Sequence, residues 1–151
     1  AQGENNVQRL AGVLGKLPIV PLPNGGTALV QPVHQDDVTG AILSALGRDW
    51  SGPESMVVAG PAAVTYADFV RALAEAAGLP PPRIVNAPGG LLIAAAWALH
   101  MVPLLPDVAP AEVRRLLEDK AYDIAPARAA LGLDRIPLHA GLARQAGARS
   151  G

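Results

Sequence analysis

Apolar residues occur along this chain in short blocks, and prolines or glycines punctuate nearly every one. Val7, Leu10, Val13 and Leu14 follow the spacing of one helix face behind Asn5 or Asn6 as cap, and Gly15 to Pro18 ends that run. Ile19 to Leu22 is a short extended stretch, and Asn24-Gly25-Gly26 is a turn signal. Ala28 to Val33 predicts a strand whose Pro32 points to an edge or a bulge. Asp36 or Asp37 caps a second helix, with Val38, Ile42, Ala45 and Leu46 on one face up to Gly47. Ser55 to Ala59 predicts a buried strand centred on Met56-Val57-Val58. Thr65 opens a third helix, with Asp68 completing a capping box, and Phe69, Leu73 and Ala76 carry its apolar face to Gly78.

Arg83-Ile84-Val85 is a further brief strand, and the run from Ala87 to Pro106 contains no Asp, Glu, Lys or Arg. Its uninterrupted helical part is Leu91 to Val102, between Pro88 and Pro103. A helix of that length spans about 18 Å, well short of the roughly 30 Å hydrocarbon core, so it is expected to pack within the protein. Peripheral membrane contact stays open. Ala109 to Glu118 predicts a charged surface helix with Val113, Leu116 and Leu117 inward. Two short helices follow, Pro126 to Leu131 with Gly132 as stop and Leu138 to Gln145, and Ala146 to Gly151 is a frayed tail.

Half of the 151 residues are hydrophobic and 17% are charged, which excludes a disordered acidic or basic arm. A net charge of -1 gives no electrostatic footprint for nucleic acid. The absence of cysteine excludes disulfides and thiolate chemistry and suits a reducing compartment. Two Trp, two Tyr and one Phe leave little for stacking on bases, and a core must come from Ala, Leu and Val.

The motifs of a complete active site are missing. No Gly-x-Gly-x-x-Gly loop occurs, and a pyrophosphate needs such a glycine-lined turn for close backbone approach. Tyr66 and Tyr122 are followed four residues on by Val70 and Pro126, so neither belongs to a Tyr-x-x-x-Lys pair. His34, His100 and His139 lack metal-ligand spacing. No catalytic, cofactor-binding or metal-binding residue is therefore assigned.

The densest polar cluster is Gln31 to Val38, a strand running into a capped helix. Val33, His34, Asp37 and Val38 resemble a junction in the C-terminal half of extended short-chain dehydrogenases/reductases, the NAD(P)-dependent epimerase/dehydratase group, with Gln35 replacing the usual Val. Val58-Ala59-Gly60-Pro61 followed by Val64 to Asp68 is similar to that family's strand, glycine turn and helix start. Tyr122-Asp123-Ile124 with Ala127, Arg128, Leu131, Gly132 and Pro137-Leu138 resembles its closing region, with Ala125-Pro126 in place of Ser-Lys.

The resemblance covers the chain from about Asn5 to Gln145 and implies a substrate-side region over residues 1–145, with 146–151 as the tail. It implies an α/β chain, the C-terminal portion of a Rossmann-type fold, with short strands and several helices and without the dinucleotide-binding core. The partner it implies is an N-terminal half carrying the glycine loop and Tyr-x-x-x-Lys, with NAD or NADP as cofactor of the intact protein and none bound by this chain alone. A small-molecule substrate and a cytoplasmic location follow from the same match. An alternative is a non-catalytic scaffold related to the accessory reductase-like subunit of respiratory NADH–ubiquinone oxidoreductase. Val30 stands where sugar-nucleotide members carry a diphosphate-gripping Arg, which favours that alternative.

Candidate substrate-binding residues are Asn5, Asn6, Gln31, His34 and Arg114. By the resemblance, Asn5 or Asn6 contacts a substrate phosphate region; read from the residues alone, either is a helix cap. His34 lines a cleft or is a packed histidine with one backbone hydrogen bond. Arg114, with Arg115, supplies the missing anion contact or lies on a solvated helix face. Trp50 and Trp97 are expected to fill hydrophobic gaps.

Overall fold

The computed structural model describes residues 10–16, 19–100, 117–132 and 136–147. The chain is mixed α/β and divides into two compact units, residues 1–30 with 64–119 and residues 31–63 with 120–151.

In the first unit, residues 10–14 are helical and a turn at 15–16 ends them where Gly15 and Lys16 were expected to. Strand β1 (Ile19–Pro23) pairs in parallel with β4 (Arg83–Ala87), Ile19 opposite Arg83 and Pro23 opposite Ala87. Pro21 and Pro23 have no N–H to offer a ladder, which suits β1 to a two-stranded sheet. Asn24–Gly26 forms a single 3-10 turn with φ of 50°, 66° and 76°, left-handed at every position. Gly26 is required twice over, because a Cβ there would lie 2.6 Å from Leu22 Cδ1 as well as being strained.

Strand β2 is only Leu29–Val30, antiparallel to β3 (Val64–Thr65). The longer strand expected over Ala28 to Val33 is not formed: β3 supplies two residues of partner, and Pro32 has no hydrogen to donate. Helix α2 (Tyr66–Ala76) starts as expected, with Thr65 Oγ1 accepting from Asp68 N at 3.1 Å and donating to Asp68 Oδ2 at 2.7 Å. That hydroxyl holds the Asp68 carboxyl below its ordinary value, Arg71 adds to the effect, and slight burial opposes it. The buried face of α2 is Ala67, Val70, Leu73 and Ala74, with Val70 wholly enclosed. Helix α3 (Gly89–His100) begins two residues before the expected Leu91, because the Pro88 carbonyl accepts from both Leu91 N and Leu92 N. Met101 and Val102, like most of the helix expected over Ala109 to Glu118, lie outside the described residues. Leu117, expected to face inward, is 43% exposed. Among the described residues no helix is long and apolar enough to cross a membrane.

The second unit holds α1 (Gln35–Leu46), α4 (Ala125–Leu131) and α5 (Leu138–Gly147). Its buried apolar side chains are small, Ala41, Ala59 and Ala127, with Leu142 the large one. Helix α1 turns Asp37 and Ala41 inward, one turn apart, and leaves Ile42, Leu43 and Leu46 exposed. The expected apolar face of Val38, Ile42, Ala45 and Leu46 is thus rotated away from the observed one. No strand forms over Ser55 to Ala59, where Val57 is 47% exposed; the segment is anchored instead at Gly60. Gly132, at φ 60°, ends α4 as expected, and Ala146 and Gly147 belong to α5 instead of the tail.

Candidate functional site

The polar cluster at Gln31 to Asp37 lies wholly in the second unit, where three separate chain segments converge on it. Gln31 leads the connection into α1. Its side chain Nε2 donates to the Gly60 carbonyl at 2.7 Å, and its Oε1 accepts from Tyr122 N at 2.7 Å. Gly60 N returns a bond to the Gln31 carbonyl at 3.4 Å. One amide side chain therefore joins residues 29 and 91 positions away in sequence. A half-buried Gln can do this because it offers a donor and an acceptor at one end of a long stem.

This approach depends on the missing side chain at residue 60. A Cβ on Gly60 would stand 1.9 Å from the Pro32 carbonyl oxygen and 2.9 Å from its carbon. Pro32 presses its backbone into the space that glycine leaves open.

His34 caps α1. Its backbone is extended at φ -76° and ψ 147°, and Nδ1 accepts from Asp36 N at 3.2 Å. The cap was expected at Asp36 or Asp37, so this is a correction. Those carboxylates occupy the first turn, where the positive end of the helix dipole suits them, and the ring one residue earlier reaches the free amide. The His34 side chain is 12% exposed. A Cβ on Gly141 of α5 would lie 3.2 Å from His34 Cδ2, so the glycine lets helix and ring meet.

Asp37 is 5% exposed and points away from solvent. Both its oxygens accept from Ile136 N, at 3.1 and 3.3 Å, which satisfies a buried carboxylate that would otherwise be costly. Asp36 faces outward, with Oδ2 3.6 Å from Arg144 Nη1 on α5. Asp123 Oδ1 accepts from Ala125 N at 2.9 Å at the start of α4, where Pro126 is tolerated because first-turn amides have no helical partner. At the other end of α1, Trp50 Nε1 donates to the Ala45 carbonyl at 2.8 Å, and the Arg48 guanidinium lies 5.2 Å from its ring centroid. Arg48 also donates to the Ala130 carbonyl. Trp50 therefore closes the C-terminus of α1 and does more than fill a gap; the side chain of Trp97 lies outside the described residues.

Gln31 and His34 both lie on the segment that enters α1, each with its own partners, while Asn5, Asn6 and Arg114 lie outside the described residues. Sequence reasoning missed Gly141, Arg144 and the Asp37–Ile136 bond, which nothing in local spacing signals. Gly60 was visible as part of a Gly-Pro turn, but its partner was not. Among the described residues no group of three His, Asp or Glu side chains could hold a metal ion. The arrangement holds segments and orients a junction: among the described residues its polar atoms are largely engaged with backbone.

Among the described residues, neither glycine turn has the form that receives a pyrophosphate. The Asn24–Gly26 turn leads into strand β2 and opens no helix. Strand β4 does run through Pro88 into α3, but a Cβ on Gly89 would meet Leu117 at 3.3 Å, so that glycine serves side-chain packing. Only Gly89 and Gly90 stand there, without the third glycine that close helix–strand approach to a pyrophosphate requires.

No family model matches the chain, and no curated protein matches it. Among solved structures, the chain is similar to the crystal structure of gox2253, with a TM-score of 0.63 and 21% identity. The match covers 98% of this chain and 43% of that one, so this chain spans less than half the length of the protein it resembles. At that identity the likeness is one of fold.

Proposed function

We infer that this chain is the substrate-side portion of a Rossmann-type, NAD(P)-dependent reductase, epimerase or dehydratase-like protein of the short-chain dehydrogenase/reductase kind. The observation that carries this is the convergence at Gln31. Of the stretches whose residues resemble that family, Val33 to Val38, Val58 to Pro61 with Val64 to Asp68, and Tyr122 to Leu138, the side chain of Gln31, two residues before the first, bonds Gly60 of the second and Tyr122 of the third, while Val64 to Asp68 belongs to the other unit. A fold likeness that covers 98% of this chain but 43% of a longer one is compatible with a chain that forms part of a larger fold.

In this proposal the whole protein moves a hydride to or from a carbonyl or alcohol carbon, and residues outside this chain supply the cofactor site and the acid–base pair. The contribution of this chain is to fix the entry of α1 and the segment at Tyr122 as one wall of a small-molecule site.

A second proposal, a non-catalytic scaffold of the same shape, is favoured by Val30. It sits in β2 opposite Val64 and cannot neutralise a diphosphate. The coding sequence upstream of Ala1 separates the two. A glycine loop followed by Tyr-x-x-x-Lys is expected for the enzyme; an upstream region lacking both overturns it in favour of the scaffold.

A further inference from the structure

The entry to α1 joins two roles in one side chain, because the imidazole that caps it can accept through a ring nitrogen when neutral and donates through both when protonated. His34 Nδ1 accepts the Asp36 amide hydrogen at 3.2 Å, which requires a neutral ring with its hydrogen on Nε2. The same nitrogen is 3.4 Å from Asp36 Oδ2, and that oxygen is 3.6 Å from Arg144 Nη1 on α5. The other side of the ring rests on Gly141, also on α5. Among the described residues, the charged groups at the imidazole are Asp36 from its own helix and, through Asp36, Arg144 from α5. Asp37, next on α1, is committed to the Ile136 amide, and His139 on α5 is exposed.

We propose that this junction is a proton-sensitive latch, in which neutral His34 caps α1 and protonated His34 gives up the cap for the Asp36 carboxylate that Arg144 also holds. Adding a proton to Nδ1 removes the lone pair that receives the Asp36 amide and makes that nitrogen a donor. The nearest acceptor is Asp36 Oδ2. Two cations, imidazolium and guanidinium, then share one carboxylate, and a positive charge sits at the positive end of the α1 dipole. The cap and the tie between α1 and α5 weaken together. The latch stands on these distances and does not depend on what the whole protein catalyses.

Two-dimensional nitrogen–proton NMR of the chain between about pH 5.5 and 8 tests it, a range above ordinary carboxylate titration. The Asp36 amide resonance is expected to follow the same titration curve as the His34 ring. Protection of the first-turn amides of α1 should fall about fivefold on protonation, the factor typical of a lost cap. In His34→Asn the asparagine still caps but does not titrate, so both responses should vanish while the fold persists. His139→Gln should leave both intact, and Arg144→Met, which removes the tie to α5, should leave the Asp36 response in place. An Asp36 amide that stays still while the His34 ring titrates, or one that still responds in His34→Asn, overturns the latch.

Discussion

Replacing Gly60 by alanine should be among the most damaging single-methyl changes available in this chain. The new Cβ would stand 1.9 Å from the Pro32 carbonyl oxygen, and the obstacle is backbone, which cannot swing aside. A carbon and a carbonyl oxygen in contact are ordinarily about 3.3 Å apart, so one strand of chain must retreat by about 1.4 Å. That retreat breaks the Gly60 N to Gln31 O bond and pulls the Gly60 carbonyl away from Gln31 Nε2, now 2.7 Å distant. Two hydrogen bonds at about 1 kcal/mol each, with about 1–3 kcal/mol of overpacking strain, place the cost near 3–5 kcal/mol. For a chain of this size that lowers the melting temperature by roughly 6–20 °C. Thermal unfolding followed by circular dichroism reads the shift directly. Gly90→Ala is the control: nothing lies within 4 Å of a Cβ there and the residue is helical, so it should gain up to about 1 kcal/mol. A Gly60→Ala protein that melts with the wild type would refute the close approach at Pro32.

Gln31→Ala removes both side-chain bonds of the junction and should cost about 1–2 kcal/mol in chemical denaturation. Gln31→Glu keeps the acceptor for Tyr122 N but sets a carboxylate against the Gly60 carbonyl, so its deficit should shrink as the pH falls and the carboxyl gains a hydrogen. Thr65→Ala should cost about 1 kcal/mol by uncapping α2. The wild-type Asp68 carboxyl is held below its ordinary value of 3.8, so its stabilisation is complete above that pH and is lost as the pH falls through the lower, folded value. In Thr65→Ala that acid-linked loss should diminish, and urea midpoints measured down the acid range check it.

What the sequence made legible was local. Thr65 with Asp68, Gly132 after Leu131, and the Asn24-Gly25-Gly26 turn carry their meaning within four residues, and each forms as its spacing predicts. Ser55 to Ala59 reads as a strand because Met56, Val57 and Val58 are β-formers, yet a strand needs a neighbour, and that requirement is not written in the segment itself. The face of α1 was misread for a related reason. Its buried position is a carboxylate, Asp37, whose cost is offset by the Ile136 amide 99 residues later. A hydropathy pattern treats such an aspartate as solvent-facing, so the predicted stripe shifted toward Ile42 and Leu46. The candidate site was half legible: Gln31 and His34 stood out as a polar cluster, whereas Gly141 and Arg144 join it only through tertiary packing.

Calorimetric titration with NADH and with NADPH tests the proposed division of labour most directly. The 151-residue chain should give no binding heat with either, since it has no glycine-lined turn to receive a pyrophosphate. The same chain expressed with its upstream coding region should bind one of them tightly enough to saturate at micromolar concentration. Saturable micromolar binding by the 151-residue chain alone, or none by the extended protein, would contradict the assignment of this chain to the substrate side of a dinucleotide-dependent enzyme.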